Sequence, residues 1–435
     1  PSYVFISDVN SEDLAAILEL NTPGLMVESS TVREYHTTYG AHILGYMGAM
    51  TDAEWQENQK LGYSMDADVG KSGFEQAFET YLHGIDGQRL DKVTKEGTIV
   101  SQQYLEGKEP VAGNNVETTI DIDLQKVAED ALAERMKELT DPNINTGGEG
   151  EGIDAQGAAV VVMKVKTGEI LACASYPTFN LATMKEDWDA INSDDLKPLF
   201  NRAFGATYAP GSTYKMCTLV AAMENVYGST NPKAGQPIYA PGETIYDTGV
   251  FSHDDFPDFH PTCLFYSSSY GSHGDLTAQD ALKVSCNLFF YELGYRMTIE
   301  MMDETAKGFG LGEPTGIELT EKVGWRANRE SKKASYKNSA DVAWNGGDRV
   351  LCAIGQSENR FTPLQLAVYA STLANQGTRY RATFLNRVTS SDYRTLVYSN
   401  SPEVVSKMNI SDTTYATYVD GMRRVVTMIG GTATT

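Results

Sequence analysis

Tyr208-Ala209-Pro210-Gly211-Ser212-Thr213-Tyr214-Lys215 opens an apolar run, and Ser285-Cys286-Asn287 stands farther along the chain. Residues 212–224 predict a buried helix entered through Ala209-Pro210-Gly211, because Leu219, Val220 and Met223 leave it little polar surface. On a helix, residues three apart share a face, so Ser212 Oγ and the Lys215 amine are expected to be neighbours. A serine hydroxyl is a poor nucleophile at neutral pH, and a lysine whose pKa is lowered by desolvation can take its proton. Pro210-Gly211 sets Ser212 at or beside a helix N-terminus, where unpaired N–H groups favour developing negative charge. Together these features propose acyl transfer through a serine ester. Ser-x-x-Lys alone also fits a solvated surface pair, and Ser285-Cys286-Asn287 alone fits a kink between helices.

Around this stretch the composition is that of a globular chain. The 435 residues suggest two or three folding units, and 41% hydrophobic with 21% charged residues excludes wholesale disorder. No apolar run is long enough to cross a bilayer, and Pro1 opens no signal peptide. The balance of 35 basic against 58 acidic residues gives a net charge of −23. Such a field repels phosphate backbones and anionic headgroups, so neither nucleic acid nor a membrane surface is an expected partner. Cys173, Cys217, Cys263, Cys286 and Cys352 form no CxxC pair and read as buried thiols. The six histidines show no HExxH or His-x-His spacing, so neither a metal site nor any cofactor is expected.

Residues 1–112 consist of short apolar pieces broken by glycines, with a loosely alternating β-ribbon over 87–111. From Gly113 the texture changes, and residues 113–435 read as a second domain carrying all the chemistry. Asp121 caps a helix in which Leu124, Val127, Ala128, Ala131, Leu132 and Met136 recur at helical spacing. Residues 140–154 read as a loop, followed by a hairpin of strands 157–163 and 169–174. Residues 227–274 are a long, aromatic, glycine-punctuated excursion. Thr277 begins a helical pattern that breaks near Ser285, and Thr362-Pro363 to Gly377 is the best-signalled helix.

Serine–lysine acyl enzymes of the penicillin-recognising class carry Ser-x-x-Lys, then Ser-x-Asn, then Lys-Thr-Gly. The sequence resembles the class B penicillin-binding proteins, the monofunctional peptidoglycan transpeptidases of bacteria. The resemblance rests on Pro198-Leu199-Phe200-Asn201-Arg202-Ala203 with the Tyr208 to Lys215 stretch, and on His273-Gly274 with Ala281-Leu282-Lys283-Val284-Ser285-Cys286-Asn287. Ala353-Ile354-Gly355-Gln356, Thr362-Pro363-Leu364-Gln365 and Ala374-Asn375-Gln376-Gly377 follow in matching order, and residues 42–48 and 70–75 resemble the family's non-catalytic pedestal. These two glycine-rich segments look most like sidewall-elongation or Gram-positive forms.

The resemblance implies an α+β fold: an irregular pedestal domain, then a penicillin-binding, serine β-lactamase-like transpeptidase domain with its sheet flanked by helices. It implies Ser212 as nucleophile, Lys215 as proton acceptor, Ser285 as a proton carrier and Asn287 as a holder of a donor amide. Stem peptides ending in D-Ala-D-Ala would be substrates and β-lactams covalent inhibitors. A glycan polymerase would be a partner, and the location the outer face of the plasma membrane, through an N-terminal anchor. Lys166-Thr167-Gly168 precedes the nucleophile and reads as a tight turn, not as the third motif. The family's third motif and its strands are expected beyond Thr435, which would leave residues 1–435 alone a poor acylating enzyme. A β-lactamase is disfavoured by the pedestal. The reading from another class is a non-catalytic β-lactam sensor or wall-synthesis scaffold.

Overall fold

The computed structural model describes residues 5–6, 9–20, 22, 25, 27, 33–65, 67–95, 99–147, 152–336 and 343–434. Residues 148–151 of the 140–154 loop, and Thr435, lie outside them. The chain forms two compact units: Pro1–Thr37, Gly45–Val116 and Val388–Tyr398 in one, Thr38–Leu44, Glu117–Arg387 and Ser399–Thr435 in the other.

In the first unit the two glycine-bearing segments pair as strands, Met47–Ala49 antiparallel to Asp68–Gly70. The contact is possible only because the residues are small. A Cβ on Gly45, whose φ is +78°, would stand 1.9 Å from the Ser72 carbonyl oxygen. One on Gly70 would stand 2.1 Å from the Glu75 carbonyl carbon. Glu79 ties the turn by accepting from the Gly70 N–H and the Tyr63 hydroxyl. The ribbon of the same unit is Arg89–Val93 paired with Ile99–Tyr104.

In the second unit Asp121 caps the helix Ile122–Thr140 through the amides of Asp123 and Leu124. The hairpin is Ala158–Met163 against Ile170–Tyr176, and Lys166-Thr167-Gly168 is its turn, with Gly168 at φ +81°. Ala128 of the helix packs on Ala172 and Ala174 of the hairpin, with Leu124, Leu132, Val160 and Val162 around them. Gln125 stitches the two together: its amide accepts from the Cys173 N–H and donates to the Cys173 carbonyl. Thr362 caps Pro363–Ala374 in a capping box with Gln365, and Ser371 of that helix and Asn375 just after it donate to the Val165 carbonyl.

The expected helix over 212–224 is in two parts. Residues Gly211–Tyr214 wind as a 3-10 turn and the α-helix begins only at Lys215. The cause is a contact distant in sequence: the Cys217 N–H bonds to the Tyr369 hydroxyl instead of to a backbone carbonyl. The helix Lys215–Glu224 then runs through the main core, where Leu219, Val220 and Ala221 are buried in one cluster with Phe289, Leu293 and Ile354.

Gln125→Ala would leave the N–H and C=O of buried Cys173 without partners. At about 1–3 kcal/mol for each of the two groups stranded, we expect a loss of roughly 2–6 kcal/mol of unfolding free energy. Urea denaturation measures this, and a loss below about 0.5 kcal/mol would mean the stitch contributes nothing beyond a surface change.

Candidate active site

The entry to Ser212 is fastened on both sides. Tyr208 and Phe361 exchange backbone hydrogen bonds at 2.9 Å, and the Gly211 N–H donates to the Gly355 carbonyl. Gly211 and Gly355 both have positive φ, and a Cβ on Gly355 would come within 2.1 Å of the Gly211 oxygen. The Ala353 to Gln356 segment is therefore the backing of the Ser212 turn, and Thr218 bonds the Ala353 carbonyl from the other side.

The second segment arrives through a broken helix. Thr277 caps Ala278–Lys283, which stops before Ser285. Ser285 then adopts φ +51°, and Cys286 caps the helix Asn287–Arg296 by accepting from the Phe289 N–H. The left-handed conformation costs a non-glycine residue on the order of 1–2 kcal/mol, and here it turns both oxygens of Ser285 toward Lys215.

Lys215 Nζ is the hub. It donates to the Ser285 carbonyl at 2.8 Å, to Ser285 Oγ at 3.0 Å and to Asn287 Oδ1 at 2.8 Å. Ser285 Oγ in turn lies 3.1 Å from Ser212 Oγ. Among the described residues no hydrogen bond joins Ser212 directly to Lys215, and Ser285 Oγ stands between them. Ser212 is exposed, whereas Lys215 is 1% exposed. Desolvation is the largest influence on the amine and pulls its pKa down to about 8, with Cys286 and Cys263 acting weakly the other way. The Phe290 ring lies 5.5 Å from Nζ and closes the apolar side. All four residues singled out by sequence, Ser212, Lys215, Ser285 and Asn287, are thus brought to one corner.

A second cluster lies against that corner, and sequence reading missed it. Asp247, Cys263, His273 and Cys286 each offer a ligand atom, and these atoms lie within 4.8 Å of one another. His273 Nδ1 is 2.6 Å and Cys286 Sγ 3.5 Å from Asp247 Oδ2. Cys263 Sγ is 3.8 Å from His273 Nδ1 and 3.9 Å from Cys286 Sγ. Ligands of a tetrahedral zinc ion stand about 3.3–3.8 Å apart, given Zn–S and Zn–N bonds of about 2.3 and 2.0 Å. The sulfur separations fit, and two thiols, an imidazole and a carboxylate are donors that suit zinc better than calcium or magnesium.

Outer partners also hold the ligands. The Gly249 N–H donates to Asp247 Oδ1 and the His273 N–H to Oδ2. Burial opposes the charged form of Asp247, yet these donors hold its carboxyl below its usual range. A zinc ion there would cross-link the strand Ile245–Asp247 to Cys286, the residue between Ser285 and Asn287. No local spacing signals this set because its members come from four separate segments. A hint lay in the placing of three members, Asp247, Cys263 and His273, inside the irregular 227–274 excursion.

Residues 158–435 match the penicillin-binding protein transpeptidase domain, and residues 1–118 match the penicillin-binding protein dimerisation domain. The chain belongs to the class B penicillin-binding proteins. It is 32% identical to the peptidoglycan D,D-transpeptidase MrdA of Haemophilus influenzae over 81% of this chain and 50% of that protein. With the MrdA of Acinetobacter baumannii it shares 30% identity over 82% of this chain and 48% of the relative. The chain thus spans about half the length of the curated relatives it matches. Among solved structures, a chain of a peptidoglycan synthase complex that coordinates polymerization and crosslinking superposes with a TM-score of 0.73 at 27% identity. That match covers 96% of this chain and 67% of the other.

The cluster generates an expectation independent of catalysis. Protein purified without chelator should carry about one equivalent of zinc, and Cys263→Ser or His273→Ala should lower that content and the melting temperature together. Elemental analysis showing no bound metal, with no thermal shift on adding zinc, would remove the site.

Proposed function

We propose that this protein is a peptidoglycan D,D-transpeptidase, with residues 113–435 carrying the chemistry and residues 1–112 serving as a non-catalytic pedestal. The observation that carries the reading is the relay from exposed Ser212 through Ser285 to the buried amine of Lys215. As an ammonium, Lys215 has three N–H donors for its three acceptors and no lone pair. As a neutral amine it keeps two donors and can accept the Ser285 proton. With a pKa of about 8, about a tenth of the molecules hold the neutral form at pH 7.

In the proposed reaction Ser212 Oγ attacks the carbonyl of the penultimate D-alanine of a stem peptide. Its proton passes to Ser285 Oγ while the Ser285 proton passes to Lys215 Nζ. The Ser212 N–H, at the unpaired start of the 3-10 turn, faces the developing oxyanion. The carbon–nitrogen bond breaks, and the terminal D-alanine leaves with a proton returned along the same path. Asn287, already oriented by Lys215, offers its amide N–H to the acyl donor. An amine of a neighbouring strand then attacks the ester and frees Ser212. A β-lactam would acylate the same oxygen, because its strained amide mimics the donor.

The outer face of the plasma membrane is the compartment where such substrates lie, and we place the protein there. Among the described residues no helix is long and apolar enough to cross a membrane. A glycan polymerase is the proposed partner, supported by the likeness to a chain of a synthase complex.

Full-length protein should be labelled covalently by a fluorescent penicillin, and Ser212→Ala should abolish labelling. Lys215→Ala should slow it by about 10²–10⁴-fold, the usual contribution of a positioned base, and Asn287→Ala should weaken donor recognition more mildly. Labelling of the Ser212→Ala protein at the normal rate would end the proposal. A protein that is acylated but never transfers a stem peptide to an amine would instead be a sensor. Because the neutral amine is the base, the acylation rate should rise about tenfold per pH unit below pH 8 and level off above it. A rate flat from pH 6 to 9 would exclude Lys215 as the acceptor.

A further inference from the structure

The hydroxyl of Tyr369 occupies a place that backbone normally fills. It accepts a hydrogen bond from the Cys217 N–H at 3.0 Å and donates one to the Thr213 carbonyl at 3.0 Å. Those two backbone groups are four residues apart, the pair that an uninterrupted α-helix would join to each other. A side chain inserted into this ladder is one of the few physical causes of a local break. The break falls between Ser212 and Lys215. Three residues of 3-10 turn rise about 6 Å, against about 4.5 Å for α-helix. The added length leaves room for the Ser285 hydroxyl to stand between Ser212 Oγ and Lys215 Nζ.

Tyr369 is itself firmly held. It lies in the helix Pro363–Ala374, is 2% exposed, and packs edge-on against Phe309 at 5.2 Å. Burial pushes its pKa well above the ordinary tyrosine value, so the hydroxyl stays neutral and keeps both its donor and acceptor roles.

We propose that Tyr369 is a positioning residue for acyl transfer. Its hydroxyl, wedged between Cys217 N–H and Thr213 C=O, holds the Ser212 turn apart from the Lys215 helix and thereby keeps Ser212 in register with Ser285. Without it the two backbone groups can close on each other. The turn then tightens toward α-helix, and Ser212 moves off the line to Ser285. The inference rests on the acyl-transfer reading above, and it concerns the chemical step alone, since Tyr369 is buried and its hydroxyl bonds backbone groups of the turn.

The test is stopped-flow acylation of the full-length protein by a fluorescent penicillin, resolving the dissociation constant of the first complex from the first-order acylation constant. Tyr369→Phe should lower the acylation constant at least tenfold and leave the dissociation constant within twofold. Phe309→Leu, which disturbs the same packing without touching the hydroxyl, should lower the melting temperature and leave acylation near normal. Wild-type acylation in Tyr369→Phe would overturn the assignment, as would an equal loss in Phe309→Leu at equal thermal cost. If the phenylalanine variant does not fold, 3,5-difluorotyrosine at position 369 keeps the shape and weakens the hydroxyl as an acceptor. An unchanged acylation constant in that protein would overturn the assignment equally. Failure of the unmodified protein to be acylated at Ser212 at all would instead bring down the functional reading, and this inference with it.

Discussion

A lysine amine buried with no ion-pair partner among the described residues is the constraint around which the second unit is arranged. Lys215 is 1% exposed, and its pKa is drawn from 10.5 to about 8 chiefly by loss of water. At about 1.36 kcal/mol per unit, holding it charged costs on the order of 3 kcal/mol of stability. The sign follows from which state binds the proton more tightly. Below pH 8 both folded and unfolded chains are protonated and the full cost is present. Between about pH 8 and 10.5 the folded amine has lost its proton while the unfolded one keeps it, so that cost is progressively relieved as pH rises. A neighbouring carboxylate would have removed the penalty, but it would also have raised the pKa and left no neutral amine to accept a proton.

Three neutral acceptors replace that carboxylate, and two of them belong to one residue. Only a backbone turned into the left-handed region lets Ser285 aim both its carbonyl and its Oγ at the same nitrogen, which accounts for its φ of +51°. Such a conformation persists when its surroundings over-determine it. Here the capped helix Ala278–Lys283 arrives from one side, and Cys286 starts the apolar helix Asn287–Arg296 on the other. Behind Cys286 stands the Asp247, Cys263 and His273 cluster. The cluster and the amine thus act on adjacent residues of a single turn.

Much of this was legible in the sequence because it depends on spacing and local chemistry. The Asp121 cap, the hairpin turn at Gly168 and the proline-started helix after Thr362 are each decided by residues within a few positions of one another. The four candidate residues were singled out by two short motifs taken together with the family resemblance, and the structure brings them to one corner. What was not legible depends on contacts between distant segments. The ligand cluster draws on four separate stretches, and the Ser212 break depends on a hydroxyl more than 150 residues away in the chain. No periodicity within 208–224 distinguishes a helix that runs on from one that a remote side chain holds open.

That break resolves a conflict which the Ser-x-x-Lys spacing creates. The proposed reaction asks opposite environments of two residues three apart: Ser212 would have to meet a substrate from solvent, while Lys215 would have to be dry enough to lose its proton near neutral pH. On one continuous α-helical face they would lie side by side, and whatever buried the amine would tend to bury the hydroxyl as well. Changing the helix type between them separates the two demands. The 3-10 turn stands out of the core with Ser212 exposed, and the α-helix begins at Lys215 already inside it. The separation breaks the direct line from hydroxyl to amine, so in the proposed reaction a third group has to carry the proton across. Ser285, 3.1 Å from one and 3.0 Å from the other, is the group that can do so. On this account Ser-x-Asn is required by the way Ser-x-x-Lys folds.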